Sequence, residues 1–117
     1  FFANEVSLAE GKRLAREMAG APEKFDGVIT PNEILAKGIL NAFKEDGIAV
    51  PDKCKVVSLG GGMHHMDSYS PKITTIDYQP YTLGSEAMKI LIEIIQKKRI
   101  RPSHVVLPAK INKKETA

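Results

Sequence analysis

Between Phe25 and Leu59 the spacing of apolar positions changes period twice. Phe25-Asp26-Gly27-Val28-Ile29-Thr30 is a short apolar run, and Ile34, Leu35, Gly38, Ile39, Ala42 and Phe43 then recur at helical spacing up to Gly47. After Val50-Pro51-Asp52 a second short run follows, Val56-Val57-Ser58-Leu59. Two such runs around roughly a dozen helical residues predict a βαβ unit with parallel strands and a right-handed crossover. Ligands of open parallel sheets sit beyond the carboxyl ends of the strands. Those ends are Thr30-Pro31-Asn32-Glu33 and Leu59-Gly60-Gly61-Gly62.

Phe1 to Asn4 reads as a short strand, and Ser7-Leu8-Ala9-Glu10 as a capping box that starts a helix at Leu8. Leu8, Gly11, Leu14, Ala15 and Met18 form that helix's apolar stripe, and Gly20 stops it. Asn32 is placed to cap the second helix, with Glu33 in its first turn, where a negative charge suits the helix dipole. Gly47 is the expected left-handed stop. From Gly60 to Pro71 there is no period, which predicts a long loop. Ile73-Thr74-Thr75-Ile76 reads as a further strand, and Gln79-Pro80 opens a helix that runs to Lys98. Its apolar side is Leu83, Ala87, Ile90, Leu91, Ile94 and Ile95. Val105-Val106-Leu107 is a last strand candidate, with a polar tail beyond Ile111.

Composition changes this picture little. The 117 residues are 43% hydrophobic, enough to bury a core, and 17 basic against 14 acidic residues leave a net charge of only +3. The basic excess is concentrated in Lys97-Lys98-Arg99-Ile100-Arg101 and Lys110 to Lys114, too sparse to track a phosphate backbone, so charge gives no ground for DNA contact by this segment. One cysteine, Cys54, excludes an intrachain disulfide and favours a reducing compartment, although many periplasmic proteins also lack disulfides. Its thiol, next to two lysines, is expected to be partly exposed, with a structural or neutral role favoured over a reactive one. No apolar run approaches the ~20 residues of a membrane helix. The opening Phe1-Phe2-Ala3 reads as the middle of a fold, so a preceding part of the natural chain is expected to be missing.

Candidate chemistry is thin. Gly60-Gly61-Gly62 lacks the G-x-G-x-x-G and P-loop patterns that would cradle a nucleotide phosphate. Adjacent His64 and His65, near Met66 and Asp67, do not converge easily on one ion, and His104 stands alone. Ser58 has no nucleophile elbow, and no carboxylate pair is spaced for acid–base work. No catalytic residue, metal site or cofactor is expected. Asn32 is different, because its amide can cap a helix with the carbonyl and still offer donors to a ligand.

Several segments together resemble the effector-binding core of the lactose/galactose-repressor (LacI/GalR) family of transcription regulators. They are Phe25 to Gly38, Gly47 to Asp52, Val56 to Leu59, Pro71-Lys72-Ile73-Thr74-Thr75-Ile76, and Gln79-Pro80 with Leu83-Gly84. The resemblance implies an α/β, three-layer α/β/α parallel sheet of periplasmic-binding-protein-like fold, here a C-terminal subdomain fragment without the helix-turn-helix domain. By that pattern about 1–76 and 103–112 form the C-terminal subdomain, and the helix over 80–98 packs on an N-terminal subdomain outside this chain. Without that partner its apolar stripe would be exposed, swapped or docked on another copy.

The resemblance further implies ligand contacts at Val6, Asn32, Gly60 and Gln79, and a homodimer interface through Lys37, Asn41 and Tyr69. The partners it implies are a small-molecule effector, sugar or sugar derivative, or a regulatory protein; operator DNA is reached only through the missing domain, and no membrane is involved. Two departures bear on the effector. Val6 stands where the family commonly has an aromatic that stacks on a sugar ring, and Ser58-Leu59-Gly60 where it commonly has Gly-aromatic-Asp. Losing a charged acceptor for sugar hydroxyls removes hydrogen bonds worth about 1.5–3 kcal/mol each, so a simple hexose in the usual pose is not the expected effector. A periplasmic solute-binding protein of a transporter has the same fold and is the competing expectation; an α/β enzyme is disfavoured.

Overall fold

The structure is a computed structural model, and residues 1–60, 69–98 and 104–117 are described. Helix α1 (Leu8–Ala19) begins as the capping pattern demands. Ser7 is extended and its hydroxyl accepts the Glu10 N–H at 3.0 Å. The reciprocal half of the box is rerouted: Glu10 Oε1 accepts the Asn4 N–H at 2.7 Å, and Arg13 donates to both carboxylate oxygens. Glu10 is thereby buried on the helix face with Gly11, Leu14 and Ala15, while Leu8, expected in the stripe, is exposed.

Strand β1 (Gly27–Thr30) leads into α2 (Glu33–Glu45), capped by Asn32, whose Oδ1 accepts the Leu35 N–H at 3.0 Å. Gly47, at φ 69°, turns the chain off the end of α2 in the left-handed region a glycine tolerates. Strands β2 (Lys55–Gly60) and β3 (Thr74–Asp77) follow, then α3 (Pro80–Ile95) and β4 (Lys110–Asn112). The sheet order is β1-β2-β3-β4; the first three strands are parallel and β4 runs antiparallel to β3 at the edge. The α/β architecture and the βαβ unit stand as the apolar pattern predicts, with a mixed edge.

The core lies between α2 and the sheet. Ala36, Ile39, Leu40, Ala42 and Phe43 meet Cys54, Val56 and Ile73, with Ala15 from α1. Because α2 is covered by α1 and by strands, its buried face is wider than one stripe: Ala36 and Leu40 join it, and Ile34 is only half-buried. Helix α1 reaches α2 backbone to backbone. A Cβ added at Gly11 would lie 2.5 Å from Leu35 O and 2.8 Å from Gly38 Cα, and one at Gly38 would lie 2.8 Å from Gly11 Cα.

Four expectations need correction. Phe1 to Asn4 is not a strand: its polar groups go to side chains, Phe2 O accepting from Arg13 and Asn4 N–H donating to Glu10, while Phe1 stacks edge-on against Phe25 at 5.5 Å. Val105–Leu107 is not a strand either, and the pairing segment is Lys110–Asn112, beyond Pro108, which has no N–H to give to a ladder. Cys54 is buried in the core, and burial pushes its thiol up, the reverse of a reactive cysteine. The polar tail is not free. Thr116 is fully buried, its hydroxyl donating to Val56 O at 2.6 Å and accepting the Thr74 N–H at 2.9 Å, while its carbonyl accepts the Val56 N–H.

Helix α3 ends at Ile95, short of Lys98, because Lys97 turns left-handed at φ 56°. None of its residues is buried. Leu83, Met88, Leu91, Ile92, Ile94 and Ile95 all face water, and the molecule is drawn out to 58 × 26 × 21 Å.

The glycine contact sets a test of the fold. Gly38→Ala forces two helix backbones apart and is expected to destabilise the chain by about 1–3 kcal/mol in urea unfolding. An unchanged midpoint would mean that α1 is not seated on α2 as described.

Candidate functional site

The carboxyl ends of β1, β2 and β3 lie side by side, and three of the four expected ligand residues fall there. Asn32 follows the end of β1, Gly60 ends β2, and Gln79 follows Asp77, the last residue of β3. Parallel register sets Gly60 beside Asp77. The fourth, Val6, is an exposed residue just before the Ser7 cap of α1.

The backbone at these ends is tied down locally. The Thr30 hydroxyl donates to Asn32 O at 3.0 Å, which fixes the turn from β1 into α2. With Asn32 Oδ1 spent on the Leu35 N–H, the side chain's NH2 group keeps two donors. Gln79 sits at φ 55°, an uncommon conformation for a non-glycine residue. Its N–H donates to Asp77 Oδ1 at 2.7 Å and its Nε2 to Pro108 O at 2.6 Å, so both ends of the residue are anchored. Pro80 at the first position of α3 then starts the helix without a side-chain cap.

One residue of this site was weighed only as a helix-dipole charge. Glu33 is buried, and its carboxylate lies against Gly60: a Cβ added at Gly60 would be 2.5 Å from Cδ and 2.6 and 2.7 Å from the two oxygens. The sequence signal was a glycine at a strand end and a long acidic residue opening the preceding helix, which are 27 positions apart and become neighbours only through the crossover.

The expected interface residues also come together. Lys37 Nζ lies 4.6 Å from the centre of the Tyr69 ring, and the Tyr69 hydroxyl donates to Asn41 Oδ1 at 2.9 Å. Burial raises the Tyr69 phenol above its ordinary pKa, so it remains a donor at neutral pH. Gly61, Gly62, His64, His65 and the rest of 61–68 lie outside the described residues, as do 99–103 with Arg99, Arg101 and Pro102. Among the described residues no group of three or more His, Cys, Asp or Glu is placed to hold a metal, and no helix is long and apolar enough to cross a membrane. A hollow of about 290 Å³ beside β1 is lined by Phe1, Leu14, Met18, Phe25, Ile29 and Leu35, among others, with no ionisable side chain. It runs along the edge strand as far as its carboxyl end at Thr30 and Pro31, next to Asn32.

Among the described residues, a donor amide, a buried carboxylate and an anchored glutamine lie around a row of parallel strand ends. The profile of the periplasmic binding protein-like domain matches residues 2–117, and the chain belongs to that family. Its relatives are of the LacI/GalR type. RegA, an HTH-type transcriptional regulator of Clostridium acetobutylicum, is 35% identical over 94 residues, covering 80% of this chain and 28% of its own length. The HTH-type transcriptional repressor PurR of Glaesserella parasuis is 33% identical over 107 residues, covering 92% and 31%. Among solved structures, a LacI family regulator of Arthrobacter sp. FB24 in complex with lactose superposes with a TM-score of 0.80 at 22% identity, over 97% of this chain and 43% of that one. The dimeric Lac repressor does so with 0.81 at 23%, over 94% and 40%. These two establish the fold. The chain spans about a third of the length of the curated relatives it matches.

The ion pair behind Val6 gives a pH test. The Arg13 guanidinium first, and then the Asn4 amide, hold the Glu10 carboxyl down at about 2 against an ordinary 4.5. A depressed carboxylate stabilises the fold fully above the unfolded value and loses that contribution as pH falls through the folded one. The melting temperature of the parent should therefore exceed that of Glu10→Gln at about pH 6, with the gap closing between 4.5 and 2. A gap that persists at the acid end of a circular-dichroism series would show that Glu10 acts through packing alone.

Proposed function

We propose that this chain is the effector-sensing and dimerisation portion of a bacterial LacI-type transcription regulator. A small molecule binds at the strand ends beside Asn32, Gly60 and Gln79, with Val6 at the rim, and its binding alters the grip of a helix-turn-helix domain on operator DNA. The observation that carries the reading is the family match over nearly the whole chain, joined to relatives that are HTH-type regulators. That company also favours it over a transporter's solute-binding protein. A fold neighbour that holds lactose supports a sugar or sugar derivative as the effector class. The absence of an aromatic at Val6 and of an aspartate at Gly60 argues against a simple hexose in the usual pose.

The effector acts only through a difference in affinity between two subdomain arrangements, since equal affinity shifts nothing. In this reading the sheet, at about 1–76 and 103–112, is the C-terminal subdomain, and α3 packs its apolar side on an N-terminal subdomain. Support comes from α3 itself, which buries no residue against the rest of this chain. Lys37, Asn41 and Tyr69 form the dimer contact, and a dimeric fold neighbour supports that assembly. The working protein is cytoplasmic, as its operator requires.

Two measurements test this. Full-length protein should retain DNA from its own upstream region, with an effector changing the affinity by about fivefold or more; retention that no small ligand alters overturns the sensing role. Sedimentation of the 117-residue chain should show self-association that Leu91→Glu reduces. If parent and variant are both monomers, the α3 face needs no partner and its assignment to a second subdomain fails.

A further inference from the structure

We infer that the face of the sheet turned away from α1 and α2 receives helix α3 of a second copy of this chain, and that two copies exchange this contact reciprocally. The inference rests on the reading of α3 as a helix that needs a partner, and goes beyond it by naming the surface that takes the helix. Strand pleating sends alternate residues to opposite faces. Val28 and Val56 turn to the side of α2, where the core lies. Ile29, Val57, Leu59, Ile76 and Ile111 turn the other way, and the register joins them across all four strands: Ile29 beside Val57, Leu59 beside Ile76, and Ile76 opposite Ile111. None of the five is buried, and Ile29 and Ile111 are 70% and 74% exposed. A largely parallel sheet is stable with helices on both faces, and here one face has α1 and α2 while α3 buries no residue on the other.

The two apolar surfaces match, yet they do not meet within one chain. Gln79, tied by its N–H to Asp77 and by its side chain to Pro108 O, sets the direction in which α3 leaves β3, and the chain is drawn out to 58 Å. The apolar band on the sheet is three strand spacings wide, about 14 Å, which seats one helix of about 10–12 Å diameter. Leu83, Ala87, Leu91 and Ile94 form a stripe about 17 Å long on α3, the length of a five-residue strand. Area points the same way. A compact chain of this mass exposes about 6,300 Å², whereas this chain of 12.8 kDa exposes 8108 Å². The excess is larger than the ~800 Å² per partner of a standard interface, and leaves room for two contacts per protomer, one through its helix and one through its sheet. Because each protomer gives what it receives, the exchange closes on a two-fold axis and stops at a dimer.

The test is sedimentation equilibrium of the 117-residue chain and of two variants, with circular dichroism to confirm that each is folded. Ile29→Lys combined with Ile111→Lys charges the sheet face at two exposed positions outside the core, and Leu91→Glu charges the helix. The parent is expected to be a dimer whose dissociation constant rises about tenfold or more in each variant. An equimolar mixture of the two variants retains one intact helix and one intact sheet face, and should associate more tightly than either variant alone. Weakening by Leu91→Glu without weakening by the sheet substitutions overturns the inference and leaves the need of α3 for a partner standing. A mixture no tighter than its components also overturns the exchange. Association that neither variant weakens runs through another surface, such as the cluster of Lys37, Asn41 and Tyr69, and overturns it as well. A monomeric parent overturns both this inference and the reading of α3 on which it rests.

Discussion

Asn32 and Glu33, at the carboxyl end of β1, hang from one helix, and that helix lies against α1 through a contact between two glycines. Gly11 and Gly38 let α1 lie against α2 at backbone distance, so that the face of α2 turned from α1 can pack on β1 and β2. A side chain at either position would lever α2 outward and carry its N-terminus with it. Asn32 and Glu33 sit on that N-terminus. The packing of the core and the position of the polar groups are thus one constraint, set by the absence of two methyl groups.

The opposite end of the sheet is closed by Thr116. Its backbone and hydroxyl satisfy both polar groups of Val56 and the N–H of Thr74, where the pairing of β2 with β3 begins. The sheet is therefore stitched at its base by a residue 60 positions from its partner, and at its other end Gln79 is tied to Pro108 O, 29 positions away. Helix α3 contrasts with both. Its apolar residues are many and none is buried, so its apolar side is left facing water.

Much of the local structure was legible in the residues. The Ser7 and Asn32 caps, the Gly47 stop, the βαβ unit, and the α3 start at Gln79-Pro80 with its apolar side follow from side chains that act within four positions of themselves or from periods of 3.6 and 2, whereas the expectation that this side lacks a partner within the chain came from the family resemblance. Errors fell where a backbone group found a distant partner. Phe1 to Asn4 and Val105–Leu107 have strand-like composition, but a strand exists only if another edge accepts it. The Glu10 carboxylate accepts from the Asn4 N–H and from Arg13 in place of the Ser7 N–H of its own cap.

What the sequence by itself determined is the order and type of the main elements and the row of strand ends where Asn32, Gly60 and Gln79 fall. The reason is that capping, turn chemistry and periodicity are short-range and are satisfied or not within a few residues. Only the tertiary structure decided that Glu33 fills the space over Gly60, that Thr116 is buried, that Cys54 lies in the core, and that Lys37, Asn41 and Tyr69 form one cluster. Each of these joins residues that chain connectivity leaves apart, and only the crossover between parallel strands, with helix α2 packed across them, brings their atoms within reach.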